Sequence, residues 1–281
     1  MKILLSSLFL ILSLQASAQL LDPLEDWFSL RDYFNEKLIK ERAIIALDIE
    51  VSEKADGRVI KKVGEEFHYE FNASGRLTYS QKRIPLYRGF DTAWVEFSYD
   101  KEGRLIQSRE RHGPYNYEFH YLYSNDTVIS SIKIRPDDEQ PDTLFYRTHK
   151  IVATDKGEKE IVANRKGISY LDKRRIIDEN KNLIEESQEY IFSRNRNRTT
   201  YTYLDNQLIE KVYKQEYGQR SNTKSEYIYK NELLDEVKLY EKNGLRKRIG
   251  INYEDGLPTA IIVRDVVEKE IKIYLFKYTF Y

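Results

Sequence analysis

A single two-strand phrase recurs along most of the chain and constrains its fold more than any other feature. In residues 95–110, VEFSYDKEGRLIQSRE, the alternating residues Val95, Phe97 and Tyr99 precede a polar turn, and Leu105 opens a second strand. Alternation with a period of two indicates a strand with one buried face. Gly103 allows the positive φ that a tight turn requires. The phrase therefore predicts a β-hairpin.

The phrase returns at a nearly constant spacing. Aligning the first strands of the copies gives equivalent positions at 69, 97, 121, 149, 175, 201, 227, 251 and 277, which are 26 residues apart on average. Spacing alone, not residue type, places His149, Arg175 and Lys277 in this series. A fixed period with two strands per unit is typical of a repeat array. We expect an all-β antiparallel meander of about 26-residue hairpins, as a curled single sheet or a rolled-over shell. Unrelated hairpins of one large β domain are the alternative.

The first 18 residues have the three parts of a secretory signal peptide. Lys2 is the positive residue, residues 3–14 form the apolar stretch, and Ala16, Ser17 and Ala18 form a small-residue cleavage site. The apolar stretch is shorter than the ~20 residues of a membrane-spanning helix. We expect cleavage between Ala18 and Gln19, and an exported protein that is periplasmic, on the outer surface or secreted.

Residues 19–42 form a second region with a helical pattern. Asp22 is a suitable N-cap, Pro23 suits the first helical position, and apolar residues then recur about every 3.6 positions. This pattern predicts an amphipathic helix over residues 23–41 that covers the open end or the apolar face of the sheet. A partner-binding helix is the other interpretation. The hairpin repeat domain then occupies residues 43–281.

Composition excludes several classes of function. The 46 basic and 46 acidic residues leave no net charge, which removes the general electrostatic argument for binding to nucleic acid or to anionic membrane surfaces. The chain has no Cys, so it has neither disulfides nor thiolate metal sites. Its 23 Tyr residues are typical of strands with one buried face.

The turn phrase resembles a known repeat. The segment Tyr99-Asp100-Lys101-Glu102-Gly103-Arg104-Leu105 is similar to the Y-D-x-x-G-R-L core of the RHS/YD-repeat family, and residues 72–77, NASGRL, are similar with Asn in place of Asp. Later units keep the Tyr-x-Tyr, the polar turn and the following Leu. The resemblance implies a β-hairpin array in an exported protein that shields, displays or binds something. It implies no catalytic residue and, because this chain lacks a separate toxic domain, no toxin encapsulation.

Candidate catalytic and metal-binding residues are few. His68 lies between Glu66 and Glu70, and His120 follows Glu118, on the polar faces of two strands. These histidines would approach a metal only if the two strands were neighbours. No nucleophile elbow, metalloprotease motif or phosphate-binding glycine loop occurs in the sequence. We therefore expect no enzyme activity, no cofactor and no metal.

The sequence favours a non-catalytic binding or structural protein that presents an aromatic and polar β-surface to a carbohydrate or a protein. Tyr rings stack on sugar rings and anchor interfaces. The candidate ligand-binding residues, which could equally belong to the core, are Tyr117, Tyr121, Tyr201, Tyr203, Tyr227 and Tyr229. An outer-membrane β-barrel is the first alternative, since alternation and an aromatic C-terminus fit it. A glycan-active hydrolase with a carboxylate pair is the second.

Overall fold

The computed structural model describes residues 34–55, 57–113, 115–124, 127–135, 142–216, 222–242 and 244–281. The predicted cleavage site at Ala18 and Gln19 and most of the predicted N-terminal helix lie outside these ranges.

The described residues form one short helix and eighteen strands. Helix α1 is Glu36–Glu41. The strands are β1 (Ile44–Ala55), β2 (Lys61–Phe71), β3 (Leu77–Pro85), β4 (Phe90–Tyr99), β5 (Leu105–His112), β6 (Tyr115–Ser124), β7 (Thr127–Arg135), β8 (Asp142–Thr154), β9 (Gly157–Asn164), β10 (Ser169–Ile177), β11 (Leu183–Tyr190), β12 (Arg196–Leu204), β13 (Gln207–Gln215), β14 (Asn222–Lys230), β15 (Leu233–Glu241), β16 (Gly244–Glu254), β17 (Leu257–Asp265) and β18 (Glu270–Phe280).

All eighteen strands belong to one antiparallel sheet. Each strand pairs with the strands that precede and follow it in the chain, and β1 also pairs with β18 along its length. The succession of pairings therefore returns to its starting strand. This confirms the all-β meander of hairpins.

Alternate connections lie at opposite ends of the sheet, because consecutive strands run in opposite directions. We call the end that holds the connection between β2 and β3, between β4 and β5, and so on, the turn end. The end that holds the connection between β1 and β2, between β3 and β4, and so on, is the loop end. Helix α1 lies at the turn end, where Ile39 is fully buried.

One face of the sheet, here called the core face, carries the buried apolar side chains. They come from α1 with Phe34, from β1–β4 and from β13–β18: Phe34, Ile39, Ile44, Leu47, Ile49, Val51, Phe67, Tyr69, Phe71, Leu77, Val95, Leu208, Tyr227, Leu234, Val237, Ile249, Ile251, Leu257, Ile261 and Phe276. Side chains of the opposite, outer face are mostly charged or polar. The apolar alternation of the sequence thus produces one buried and one solvated face.

The 26-residue alignment is correct for eight of its nine positions. Residues 69, 97, 121, 149, 175, 201, 227 and 251 all lie on the core face by the register of their strands. The ninth position, Lys277, is wrong by one residue. Phe276 and Tyr278 face the core, whereas Lys277 is exposed opposite Asp48. A slip of one residue reverses the face of a strand.

The predicted helix over residues 23–41 is wrong in its extent. Asn35 has extended backbone angles, and its side chain accepts a hydrogen bond from the Leu38 N–H at 3.1 Å. An N-cap of this kind starts a helix, so no helix runs continuously through residue 35. Phe34 instead packs its ring edge-on against Tyr69 and Phe71, at centroid distances of 4.9 and 5.1 Å. The described part of this segment, Phe34 and α1, lies at the turn end of the sheet.

The Asp or Asn of the turn phrase organises the hairpin connection. The Asp100 carboxylate accepts hydrogen bonds from the Arg104 backbone N–H at 2.8 Å and from Arg104 Nε at 2.7 Å. Gly103, at φ +81°, donates its N–H to the Asp100 carbonyl at 2.9 Å. Asn72, Asn164 and Asp178 make the same backbone-directed bonds in three other connections. A side chain that bonds the backbone a few residues ahead fixes a turn without help from the core.

The Arg and Leu of the phrase join one unit to the next. The Tyr99 hydroxyl donates to the Leu77 carbonyl at 2.7 Å, while the Arg76 guanidinium lies 5.8 Å from the centre of the Tyr99 ring. The next unit repeats both contacts, with Tyr123 on Leu105 at 2.8 Å and Arg104 over the Tyr123 ring at 5.0 Å. The same tyrosine-to-carbonyl bond recurs at three more unit boundaries: Tyr203 to Leu183, Tyr253 to Leu234 and Tyr278 to Pro258.

We predict that Gly75→Ala destabilises the protein more than Gly89→Ala does. Both glycines have a positive φ, +82° and +87°, which costs a side-chain-bearing residue roughly 1 kcal/mol. A Cβ at Gly75 would also lie 2.1 Å from the Glu36 carbonyl of α1, whereas nothing lies within 4 Å of one at Gly89. Denaturant unfolding of both variants measures the difference. Equal losses would contradict direct packing of α1 on this turn.

We predict that Tyr99→Phe lowers the free energy of unfolding by about 1 kcal/mol, the usual net value of one hydrogen bond. The ring and its packing are retained, so the loss reports the bond to Leu77. Tyr87→Phe is the control, because Tyr87 is 99% exposed. Thermal or urea unfolding of the two variants measures both effects. A stability of Tyr99→Phe equal to that of the control would show that the bond contributes nothing.

Candidate functional site

The six tyrosines predicted to bind a ligand all lie on the core face, but not together. Tyr117 and Tyr121 are on β6, Tyr201 and Tyr203 on β12, and the remaining pair on β14. Tyr227 is buried in the apolar core, and Tyr201, Tyr203 and Tyr229 pack against that core. Five strands, β7–β11, separate the β6 pair from the β12 pair. The six tyrosines therefore form two groups and not one site.

A different set of side chains forms a charged cluster on the core face between β8 and β12. We call it the charged strip, and it consists of His149, Glu158, Glu160, Lys173, Arg175 and Glu186. Arg175 stands directly opposite Glu158 on β9 and Glu186 on β11, and Lys173 stands opposite Glu160. Directly opposed residues share a face, so strand register alone creates the alternation of charge.

Each charged group of the strip contacts a group of opposite charge or a hydrogen-bond donor. His149 Nδ1 lies 2.6 Å from Glu160 Oε1, and Lys173 Nζ lies 3.2 Å from Glu160 Oε2. The other arm is built on one guanidinium: Arg175 Nη1 lies 3.2 Å from Glu158 Oε1, and its Nε lies 3.8 Å from Glu186 Oε1. The strip extends to β12 because the Tyr201 hydroxyl donates to Glu186 Oε2 at 3.5 Å. These contacts hold the polar atoms in fixed positions.

The environment of the strip keeps Glu160 ionised. Burial alone would raise the pKa of its carboxyl, but the hydrogen bond from His149 and the charge of Lys173 outweigh burial and lower the pKa to about 2. Burial would likewise lower the pKa of Arg175, and the nearby Glu186 and Glu158 carboxylates raise it instead. Burial, together with the charge of Asp178, raises the pKa of the neighbouring Tyr203 to about 12, so its hydroxyl remains a neutral donor.

Solvent reaches the strip even though it shares a face with the core. The Arg175 side chain is 49% exposed and that of Glu158 is 41% exposed. Side chains of the β1–β4 and β13–β18 part of the core face are, in contrast, closely packed. The strip is therefore an accessible polar part of the core face, whereas the β1–β4 and β13–β18 part contains the apolar core.

The two histidines considered as metal ligands do not come together. His68 is on β2 and His120 on β6, with three strands between them. His68 contacts Asp48 at 2.7 Å and Glu70 at 3.2 Å, and His120 contacts Glu118 at 3.1 Å. Across the part of the chain that the structure describes, no group of three His, Cys, Asp or Glu side chains converges as metal ligands.

Two members of the strip, His149 and Arg175, already belong to the 26-residue alignment. His149 and Arg175 occupy the aligned positions at which other units have an aromatic or apolar residue. A charged residue at a core-face position is the signal for an accessible patch, because a buried charge needs a partner. The carboxylates on β9 and β11 were missed, since their alternation matches that of an ordinary solvated face.

A short cavity adjoins α1 at the turn end. Its volume is about 180 Å³, and its lining includes Ile39, Ile44, Asn72 and Tyr281. Among the described residues, Lys40 is the one charged side chain that lines it. The cavity is smaller than the ~300–1,000 Å³ that small-molecule sites usually occupy.

Comparison with known proteins gives only distant structural likenesses. No protein-family model and no curated protein matches the chain. A porin-like protein from Bacteroides uniformis ATCC 8492 aligns at a TM-score of 0.42 and 10% identity, over 83% of this chain and 97% of its own. A porin-like protein from Bacteroides vulgatus ATCC 8482 aligns at a TM-score of 0.32 and 12% identity, over 82% of this chain and 97% of its own. The structure of TcdB2-TccC3-Cdc42 aligns at a TM-score of 0.16 and 9% identity, over 72% of this chain and 15% of that chain.

At these TM-scores the likenesses carry no functional argument. Helix α1, with six residues, is the sole helix of the described ranges and is too short to cross a membrane.

We predict that Glu160 makes stability sensitive to acid. Its folded pKa of about 2 lies below the ordinary 4.5, so its stabilising contribution is complete above pH 4.5 and is lost as the pH falls towards 2. At ~1.4 kcal/mol per pKa unit the contribution is on the order of 3 kcal/mol. Glu160→Gln should therefore be clearly less stable than the wild type at neutral pH and nearly equal to it near pH 2.

Urea unfolding at several pH values measures this difference. The matched control is Glu179→Gln, because Glu179 is exposed in the connection between β10 and β11. A gap between wild type and Glu160→Gln that stays constant with pH would contradict the ion-pair assignment.

Proposed function

We propose that this chain is an exported, non-catalytic binding protein that holds a carbohydrate against the charged strip. The observation that carries the proposal is the accessible, internally paired set of charges that the strip places on the core face. Sugar hydroxyl groups both donate and accept hydrogen bonds. The strip offers carboxylate acceptors and guanidinium, ammonium and hydroxyl donors within a few ångströms of one another.

The pairing within the strip supports binding rather than catalysis. Its carboxylates are each matched by a cation or a hydroxyl donor, and Glu160 stays ionised down to a pKa of about 2. A glycosidase needs one carboxylic acid that keeps its proton near neutral pH. A carboxylate that is held ionised cannot fill that role. Fixed polar atoms reduce the entropy that is lost when a ligand is ordered.

The charged side chains of the outer face indicate that this face is in contact with water. Cross-strand ion pairs run along it: Glu50 with Lys62 at 2.5 Å, Glu118 with Arg109 at 3.0 Å, and Glu236 with Arg248 at 2.6 Å. A cationic side chain on a lipid-facing strand costs ~2–4 kcal/mol at the bilayer midplane. These pairs are therefore favourable in water and unfavourable in a hydrocarbon environment. This favours a binding protein over a membrane-embedded sheet.

We predict that Arg175→Gln weakens carbohydrate binding at least about tenfold, because a hydrogen bond from a charged group contributes roughly 1.5–3 kcal/mol. A glycan array first identifies the ligand of the wild-type protein, and calorimetry with that glycan then gives the affinities. Arg248→Gln is the matched control, since Arg248 is 50% exposed and paired with a carboxylate, as Arg175 is, but on the outer face. Its affinity should stay within about twofold of wild type, less than one hydrogen bond contributes.

Binding of no glycan on the array by the wild-type protein would contradict the proposal. So would equal affinities of the two arginine variants for the glycan that the wild type binds. Release of reducing sugar from a bound glycan, lost in Glu158→Gln or Glu186→Gln, would also contradict it and would identify a hydrolase.

A further inference from the structure

Three neighbouring connections at the loop end combine exposed apolar side chains with basic ones. We call residues 57–61, 86–90 and 266–269 the loop patch. They connect β1 to β2, β3 to β4, and β17 to β18. These connections lie side by side, because β18, β1, β2 and β3 are consecutive neighbours in the sheet and β4 follows them. The patch is therefore one continuous region of the surface.

Large apolar side chains of the loop patch project into solvent. Tyr87 is 99% exposed, Val59 75% and Val267 61%. The other exposed apolar members are Ile60, Leu86, Phe90 and Val266. Single exposed apolar residues are ordinary on a protein surface, but a contiguous group indicates a binding surface.

The charge of the loop patch is positive. Its described residues include four exposed cations, Arg58, Lys61, Arg88 and Lys269, against the single anion Glu268. Just beside the patch, the Arg83 guanidinium lies 3.6 Å from the centre of the Phe90 ring. The whole chain has no net charge. The positive charge is thus a local property of this end of the sheet.

Two further loops at the same end repeat this composition. The connection between β9 and β10 carries Arg165, Lys166 and exposed Ile168, and the connection between β11 and β12 carries exposed Phe192 with Arg194. Repetition in five connections makes chance exposure in one loop a poor explanation.

The turn end differs in both respects. Its described connections, at residues 72–76, 100–104, 155–156, 178–182, 205–206, 231–232 and 255–256, contain no exposed large apolar side chain. Asp, Asn, Glu and Gly dominate them. The connections at the two ends therefore differ, with apolar and basic residues at the loop end and polar residues at the turn end.

We propose that the loop patch docks on the surface of an anionic lipid bilayer. Tyr and other amphipathic rings favour the boundary between headgroups and acyl chains, and Lys and Arg are attracted by anionic headgroups. The charged outer face of the strands would stay in water above the headgroups. The strands would then stand with the loop end on the membrane and the turn end, with α1, directed away from it.

Co-sedimentation of the mature full-length protein with vesicles tests this proposal. The probes are vesicles of phosphatidylglycerol mixed with phosphatidylcholine, and vesicles of phosphatidylcholine alone. We expect binding to the anionic vesicles, weaker binding to the neutral ones, and a loss of binding at high NaCl because salt screens the attraction. Either Val59→Ser/Tyr87→Ser/Val267→Ser or Arg58→Ser/Arg88→Ser should reduce the partition coefficient about tenfold, as expected when insertion or attraction is removed.

The turn end supplies matched controls. Leu204→Ser/Tyr281→Ser removes two side chains that are 61% and 74% exposed near that end, and Lys37→Ser/Lys101→Ser removes two exposed cations. Neither control should change vesicle binding. The proposal is overturned if the wild type fails to sediment with anionic vesicles, as it would if the patch served a protein partner. It is also overturned if the controls lose as much binding as the loop-patch variants.

Discussion

The bond from a tyrosine hydroxyl to the carbonyl of the preceding unit is the interaction on which the regularity of the structure depends. It recurs at five described unit boundaries, from Tyr99 on Leu77 to Tyr278 on Pro258. Backbone ladders alone would permit neighbouring hairpins to shift along one another. The bond to the carbonyl, with the Arg76 and Arg104 guanidinium groups over the rings, fixes that offset at the turn end. The recurring Tyr, Gly, Arg and Leu of the phrase therefore form contacts between units in addition to forming the turn.

This regular scaffold allows the core face to change character without a change of fold. In β1–β4 and β13–β18 the aligned positions are filled by aromatic and aliphatic side chains that exclude water. In β8–β11 the same positions carry His149 and Arg175, and the facing strands supply carboxylates. Backbone hydrogen bonding is the same in both regions. The difference between a packed core and an accessible polar surface thus resides entirely in side-chain identity at equivalent positions.

Strand content, hairpin turns and the 26-residue period could be predicted because they depend on local sequence. Gly75 and Gly103 mark turns, and alternation marks the buried face. The one-residue error at Lys277 arose because spacing alone, and not residue type, placed that position. The helix extent was wrong because the cap at Asn35 competes with an apolar periodicity that continues past it. The charged strip could not be predicted, since it depends on which strands stand opposite one another. The six candidate tyrosines lie on the core face in two separate groups, because five strands separate β6 from β12.

The pairing of β1 with β18 joins segments more than 200 residues apart in the chain. Every other strand pair can form as soon as two successive strands are available, so the sheet can grow by local additions. The final seam, in contrast, must wait for the last strand and closes a long loop, which is entropically costly and slow. Until then both terminal strands expose unpaired backbone groups that can recruit another chain. The rate-limiting and aggregation-sensitive stage of folding is therefore the joining of the two ends, and not the formation of any hairpin.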